Sequence, residues 1–191
     1  MPTTTTLQPA AQTASRAPGR AGVEGLVAAI REEVRRARDW GATAVGVADA
    51  LQKRLPPPTF LTAAEREGSA DRPAGHRLHV EPDGSFSLLA IVWRHDQWTR
   101  IHDHVTWCVF AGVQGEIVED LFQLDVTSEA LIPAGRRGCP AGAIRCDVPP
   151  GDIHRLGNRH SAPAITLHVY GTDVTRLGSS ARRTYDLPIA R

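Results

Sequence analysis

The sequence is short of cysteine, of long apolar runs and of charge imbalance, and each shortage removes a class of protein. Three cysteines in 191 residues, Cys108, Cys139 and Cys146, do not make a disulfide framework, so a reducing, cytoplasmic setting is the expectation. No apolar stretch approaches the roughly 18 residues of a membrane helix. The opening Met1-Pro2-Thr3-Thr4-Thr5-Thr6-Leu7 lacks both the basic and the apolar region of a secretory leader. Basic and acidic side chains number 22 and 21, for a formal net charge of +1, and nothing in that balance marks a nucleic-acid partner. The pairs Arg35-Arg36 and Arg182-Arg183 are short and fit a solvated surface. No internal repeat is visible.

The remaining composition suits one domain with a short tail. Residues 1–20 are rich in Thr, Ala, Pro and Gln and cannot bury enough surface to offset chain entropy, which predicts disorder. From Val23 the pattern changes. Val23, Leu26, Val27, Ile30, Val34 and Ala37 recur at three- and four-residue steps, the apolar stripe of an amphipathic helix, which Trp40-Gly41 is expected to end. A second helix is expected over 42–55, stopped by Pro56-Pro57-Pro58, and a polar loop then runs to about Ala74. Residues 21–70 thus read as a helical segment that packs on the remainder of the chain.

From about residue 71 the texture is β. The runs 86–93, 106–113, 116–124, 130–133 and 164–170 are separated by turn signals such as Pro82-Asp83-Gly84, Gln114-Gly115 and Pro149-Pro150-Gly151. Many short strands with regular turns predict a sandwich or small barrel. Cys139 and Cys146, on either side of Pro140-Ala141-Gly142, are expected to face each other across a hairpin.

The chemistry concentrates in Ile101-His102-Asp103-His104. On a strand, residues two apart share a face, so His102 and His104 can reach one cation at about 2.0–2.2 Å from each nitrogen. Pro149-x-Gly151-x-x-His154-x-x-x-Asn158 lies some way downstream, and its turn puts His154 near the start of another strand. Three neutral imidazoles form a facial set that leaves positions for other ligands.

The spacing from His102 to Gly115, with Pro149 to Asn158, resembles the two cupin motifs. That resemblance implies a mainly β cupin double-stranded β-helix over residues 71–191, with N-terminal α-helices and one metal held by His102, His104 and His154. The usual cupin has Glu seven residues before the first motif's glycine, and here that position is Cys108. The stretches His102-Asp103-His104-Val105-Thr106-Trp107-Cys108-Val109 and Thr166-Leu167-His168-Val169-Tyr170-Gly171 are similar to the cysteine dioxygenase and 3-mercaptopropionate dioxygenase family. The resemblance implies Fe(II), although three histidines also accept nickel or another divalent transition metal. It implies a small thiol and dioxygen as substrates, L-cysteine first, with no nucleic-acid or membrane partner. A monomer is the default.

Thr166, His168 and Tyr170 alternate on one strand face. The family carries a Ser-His-Tyr relay there, which implies a relay role for His168 and Tyr170, with Thr166 in place of Ser. Cys108 is either a small buried apolar group or, as the resemblance implies, the partner of Tyr170 in a thioether. A thiol acid needs a cation for its carboxylate. Arg77 and Arg183 are the candidates from the resemblance, each also readable as a surface cation. The loop at Asp96, Trp98 and Arg100 departs from the family and is expected to reshape the entrance, with His95 another residue for the mouth. Four other readings stay open: an enzyme of specialised metabolism that oxidises L-cysteine to a different sulfur product, a 3-mercaptopropionate dioxygenase, a non-enzymatic metal-binding cupin, and a metal-dependent isomerase or decarboxylase.

Overall fold

The computed structural model describes residues 22–37 and 39–190; the expected disordered tail over 1–20 falls outside them. The first helix, α1 (Val23–Arg36), turns Val23, Leu26, Val27 and Ile30 inward, the stripe its periodicity predicts. Trp40-Gly41 does not end this helix but starts the next, α2 (Trp40–Arg54). The reason is Asp39, whose side chain accepts from Ala42 N at 2.8 Å and caps the new helix. The proline run comes directly after α2, as expected. The supposed loop beyond it holds a 3-10 turn, Pro58–Phe60, and a one-turn helix, α3 (Ala63–Arg66), closed by a Thr62–Glu65 capping box.

The rest of the chain forms ten strands: β1 (Ala74–Val80), β2 (Ser87–Trp93), β3 (Ile101–His104), β4 (Cys108–Gln114), β5 (Glu116–Asp125), β6 (Ala130–Pro140), β7 (Ile144–Asp147), β8 (His154–Gly157), β9 (Ala164–Tyr170) and β10 (Ala181–Tyr185). A short helix, α4 (Val174–Leu177), separates the last two. The strands form two antiparallel five-stranded sheets, in the orders β1-β2-β9-β4-β7 and β10-β3-β8-β5-β6. The β4–β5 hairpin turns at Gly115, whose φ of 65° suits glycine and whose absent side chain leaves room for the Pro163 and Ala164 backbone.

The two faces of the first sheet have different covers. Leu88, Ala90, Val92, Val109, Ala111, Ile165, Leu167 and Val169 join the apolar stripes of α1 and α2 in one core. The alternate residues Trp93, Cys108, Phe110 and Tyr170 pack with Ile117 and Leu156 of the second sheet. With both faces covered, β9 is buried at every position, Thr166 and His168 included. The outer face of the second sheet carries ion pairs instead, among them Arg136 and Arg155 on Asp120.

Cys139 and Cys146 do not face each other. The chain between them passes from one sheet to the other, since β6 pairs with β5 and β7 with β4. Cys139 is buried and Cys146 lies on the side of α2, near the Ala44 carbonyl. The helix layer is integral to the core: Leu51 is wholly buried there. Leu51→Ala is expected to cost about 2–5 kcal/mol, read as a lower urea midpoint at unchanged slope.

Candidate metal centre

Strands β3 and β8 pair at His102 and His154, so alternation brings His102, His104 and His154 to one patch on the barrel's inner side. The three ring centroids are 4.7–4.9 Å apart, and one ring nitrogen of each lies within 4.8 Å of the others. The local surroundings choose which nitrogen. His102 Nδ1 donates to the Arg100 carbonyl at 2.9 Å. His104 Nδ1 donates to Asp152 Oδ2 at 2.9 Å, and the same oxygen accepts the His104 backbone N–H at 2.9 Å. His154 Nδ1 donates to Glu119 Oε1 at 2.7 Å. A carbonyl or carboxylate oxygen can only accept here, so the proton of each neutral ring sits on Nδ1. Each Nε2 keeps its lone pair. His154 Nε2 is buried with no hydrogen-bond partner, as a donor atom kept for a cation would be. The donor set fits a divalent transition metal.

Burial pushes the pKa of His102 well down, and that of His154 down against the pull of Glu119; both changes favour the neutral, ligating form. Glu119 is itself wholly buried. Burial alone would raise its pKa, but bonds from His154 and Arg137 reverse that and hold it ionised. Arg137 Nε donates to Glu119 Oε2 at 2.6 Å, and Arg137 Nη2 to Asp147 Oδ1 at 3.2 Å. Asp147 lies on β7 opposite Cys108; burial, then the neighbouring Glu119 charge, push its pKa up. Glu119, Asp147 and His154 also form a compact group of ligand-type atoms. There the Arg137 guanidinium already supplies the positive charge.

Across from the histidines, β9 presents Thr166, His168 and Tyr170 on the inner face, all buried. Thr166 Oγ1 lies 2.8 Å from His168 Nε2, and Tyr170 Oη 3.3 Å from His168 Nδ1. The Tyr170 ring is 6.1 Å from that of His104. Burial drives both the Tyr170 hydroxyl and the Cys108 thiol well above their ordinary pKa. Cys108 and Tyr170 are directly paired across β4 and β9.

The two arginine candidates separate. Arg77 pairs with Leu89, Leu89 with His168, and His168 with Phe110, so Arg77 belongs to the inner-face row of the relay, at the exposed edge of the sheet. It has no hydrogen-bond or ion-pair partner among the described residues. Arg183 pairs with Asp103, between the two β3 histidines and so on the opposite face. Asp103 Oδ2 accepts from Arg183 Nη2 at 2.8 Å and from the Tyr185 hydroxyl at 2.9 Å. Arg183 thus clamps β10 to β3 and does not join the cluster.

Trp98 does not shape an entrance either. It bridges to Gly157, where a Cβ would run into the indole, and the Arg155 guanidinium lies 4.9 Å over its ring; with Arg155 it covers the outer face of β8. His95 is exposed and bonds the His160 carbonyl at 3.1 Å.

Glu119, Asp147, Asp152 and Arg137 carry no motif that singles them out in the sequence. Glu119 had one signal, a charge alternating with Ile117 on an inward face. The adjacent Asp120 obscured it, because strand phase decides which acid turns in. Asp152 stands two residues before His154, and only the turn geometry aims it at His104.

Glu119→Gln removes the anion behind His154 while keeping its shape. Divalent metal affinity, titrated with cobalt or zinc, is expected to fall about 10–100-fold; an unchanged affinity would show that Glu119 does not support the ring.

No protein-family model matches the chain. Cysteine dioxygenase type 1 from Rattus norvegicus is 30% identical over 91 residues, 46% of this chain and 46% of the relative. The Homo sapiens protein of that name is 29% identical over the same share, and the Danio rerio one 28% over 94 residues, 47% of each. The match spans about half the length of these curated relatives. Among solved structures, a Cupin 2 conserved barrel domain protein from Salinispora arenicola superposes with a TM-score of 0.44 at 18% identity, covering 61% of this chain and 92% of that one. A double-stranded β-helix protein from Klebsiella pneumoniae gives 0.45 at 14%, covering 59% and 90%. Two facing antiparallel sheets set the motif histidines His102 and His154 side by side, and over about half its length the chain is similar to cysteine dioxygenase type 1.

Proposed function

We propose that the chain is a non-haem Fe(II) thiol dioxygenase that adds both atoms of dioxygen to the sulfur of a small thiol, L-cysteine giving cysteine sulfinate in the first instance. The observation that carries this reading is a cluster of three imidazoles, His102, His104 and His154, that contains no carboxylate and faces Tyr170 across the barrel. Bound Fe(II) would supply the positions at which a thiolate and dioxygen meet, and soft sulfur favours it over magnesium or calcium.

The chain's own residues have separable tasks. His102, His104 and His154 contribute no charge, so the negative charge near the metal is left for the thiolate to bring. Phe110, Trp93 and Leu156 line the inner side and exclude water. Tyr170, its hydroxyl kept protonated by burial, is a hydrogen-bond donor for the bound reactants. The cross-strand neighbours Cys108 and Tyr170 also suit the thioether of the resembled family. Arg77, free at the sheet edge in the row of His168, is suited to fork onto a substrate carboxylate.

Oxygen uptake by the iron-loaded protein with cysteine, 3-mercaptopropionate and cysteamine tests the reading, with mass analysis of the product. One dioxygen consumed per thiol and a product heavier by two oxygens are expected. Silence with all three thiols would sink the proposal, and a cysteine product other than the sulfinate would redirect it to a different oxygenation. His154→Ala is expected to lose both metal and turnover. Arg77→Ala should raise KM for the two carboxylate-bearing thiols about 10–100-fold and leave cysteamine, which has no carboxylate, unchanged. An equal change for all three would remove Arg77 from substrate recognition.

A further inference from the structure

On the inner face of β9 the Thr166 hydroxyl has two side-chain neighbours. Thr166 Oγ1 lies 2.8 Å from Trp93 Nε1 and 2.8 Å from His168 Nε2. All three side chains are almost wholly buried. An indole N–H can only donate, so Thr166 accepts from Trp93. Among the described residues, the hydrogen of Thr166 then has His168 Nε2 as its acceptor. If that nitrogen carried the proton instead, Thr166 would face two donors and its own hydrogen would be buried without a partner. That cost biases the tautomer by roughly tenfold or more.

His168 therefore carries its proton on Nδ1, the atom 3.3 Å from the Tyr170 oxygen. Burial, with His104 and His154 adding to it, pushes the His168 pKa down to about 3, so the ring is neutral and one tautomer suffices to describe it. Ser180 also lies at the Tyr170 oxygen and favours its charged form, as a donor would. With its oxygen accepting, Tyr170 has its own hydrogen to give, and the Cys108 sulfur is an acceptor in reach before a ligand binds.

Trp93 is well held for this task. It ends β2, its carbonyl accepts Asn158 Nδ2 at 3.1 Å, and Asn158 Oδ1 accepts the His160 backbone N–H at 2.8 Å. The asparagine of the second motif thus anchors the Trp93 backbone at the end of β2, and the indole N–H meets the Thr166 hydroxyl.

We propose that Trp93 is a positioning residue: it anchors a one-way hydrogen-bond line, Trp93 to Thr166 to His168 to Tyr170, that makes Tyr170 a donor toward whatever binds beside the three histidines. The consequence for turnover rests on the thiol-oxygenase reading; the direction of the line does not.

The test is nitrogen-15 NMR of histidine-labelled, zinc-loaded full chain, with His168 assigned by loss of its signals in His168→Asn. The expected pattern is Nδ1 protonated and Nε2 bare. A proton on Nε2 overturns the proposal. In Trp93→Phe the His168 signals should move toward a mixture of tautomers, and kcat of the iron-loaded enzyme should fall roughly three- to tenfold with KM and metal content unchanged. Thr166→Ser, which keeps the hydroxyl, should retain the wild-type pattern. If Trp93→Phe changes neither tautomer nor kcat, the indole only fills space and the anchoring role falls. If Trp93→Phe does not fold, Thr166→Val takes its place: a tautomer bias that survives loss of the hydroxyl overturns the line. A protein that oxidises no thiol would still give a decisive tautomer result, so the two proposals can fail separately.

Discussion

Three imidazoles can offer the same ring nitrogen to one point only if the other nitrogen of each is held elsewhere, and the barrel is arranged around that requirement. The Arg100 carbonyl, the Asp152 carboxylate and the Glu119 carboxylate take the three Nδ1 protons. Two of these acceptors are buried anions, whose hydrogen bonds to imidazole are stronger than neutral ones. Each anion needs support of its own. Asp152 gets it from the His104 backbone N–H. Glu119 gets it from Arg137, which reaches in from β6 and also holds Asp147. The histidine geometry thus depends on side chains from β5, β6 and the turn before β8, none of which belongs to the H-x-H motif.

Architecture supplies the rigidity. The first sheet is packed on both faces, by α1 and α2 outside and by the second sheet inside. Its relay residues therefore sit on a strand with no solvent side. The second sheet has a solvent face, and there the clamp of Arg183 and Tyr185 on Asp103 ties β10 to β3. Asp103 stands between the two β3 histidines, so the clamp steadies both from behind without touching them.

The local patterns made much of this legible. The stripe from Val23 to Ile30 gave α1, and the alternation His102, His104 and Thr166, His168, Tyr170 gave the correct shared faces. A boundary failed at Trp40, because the cap Asp39 outweighs the bulky residue after it. The carboxylates behind the histidines were hidden for a different reason. Glu119 and Asp120 are neighbours, both nearly inaccessible, and one turns to His154 while the other meets Arg136 and Arg155 on the outside. Composition cannot tell them apart; strand phase can, and phase is set by register with β6 and β8. Arg183 was misleading in the same way. Its neighbours along the chain resemble those of a substrate-binding pair, but pairing with Asp103 turns it outward.

Cys108 in place of a carboxylate can be weighed against this network. A ligand carboxylate would put a negative charge directly on a metal held here. The chain instead keeps negative charge one imidazole away, at Glu119 and Asp152, where it raises ligand basicity without occupying a coordination position. A buried cation loses hydration and needs compensating charge nearby, and the two carboxylates meet part of that need. On the proposed reading, a thiolate substrate would bring the rest. A small thiol at position 108, kept protonated by its surroundings, adds no charge of its own and takes little space.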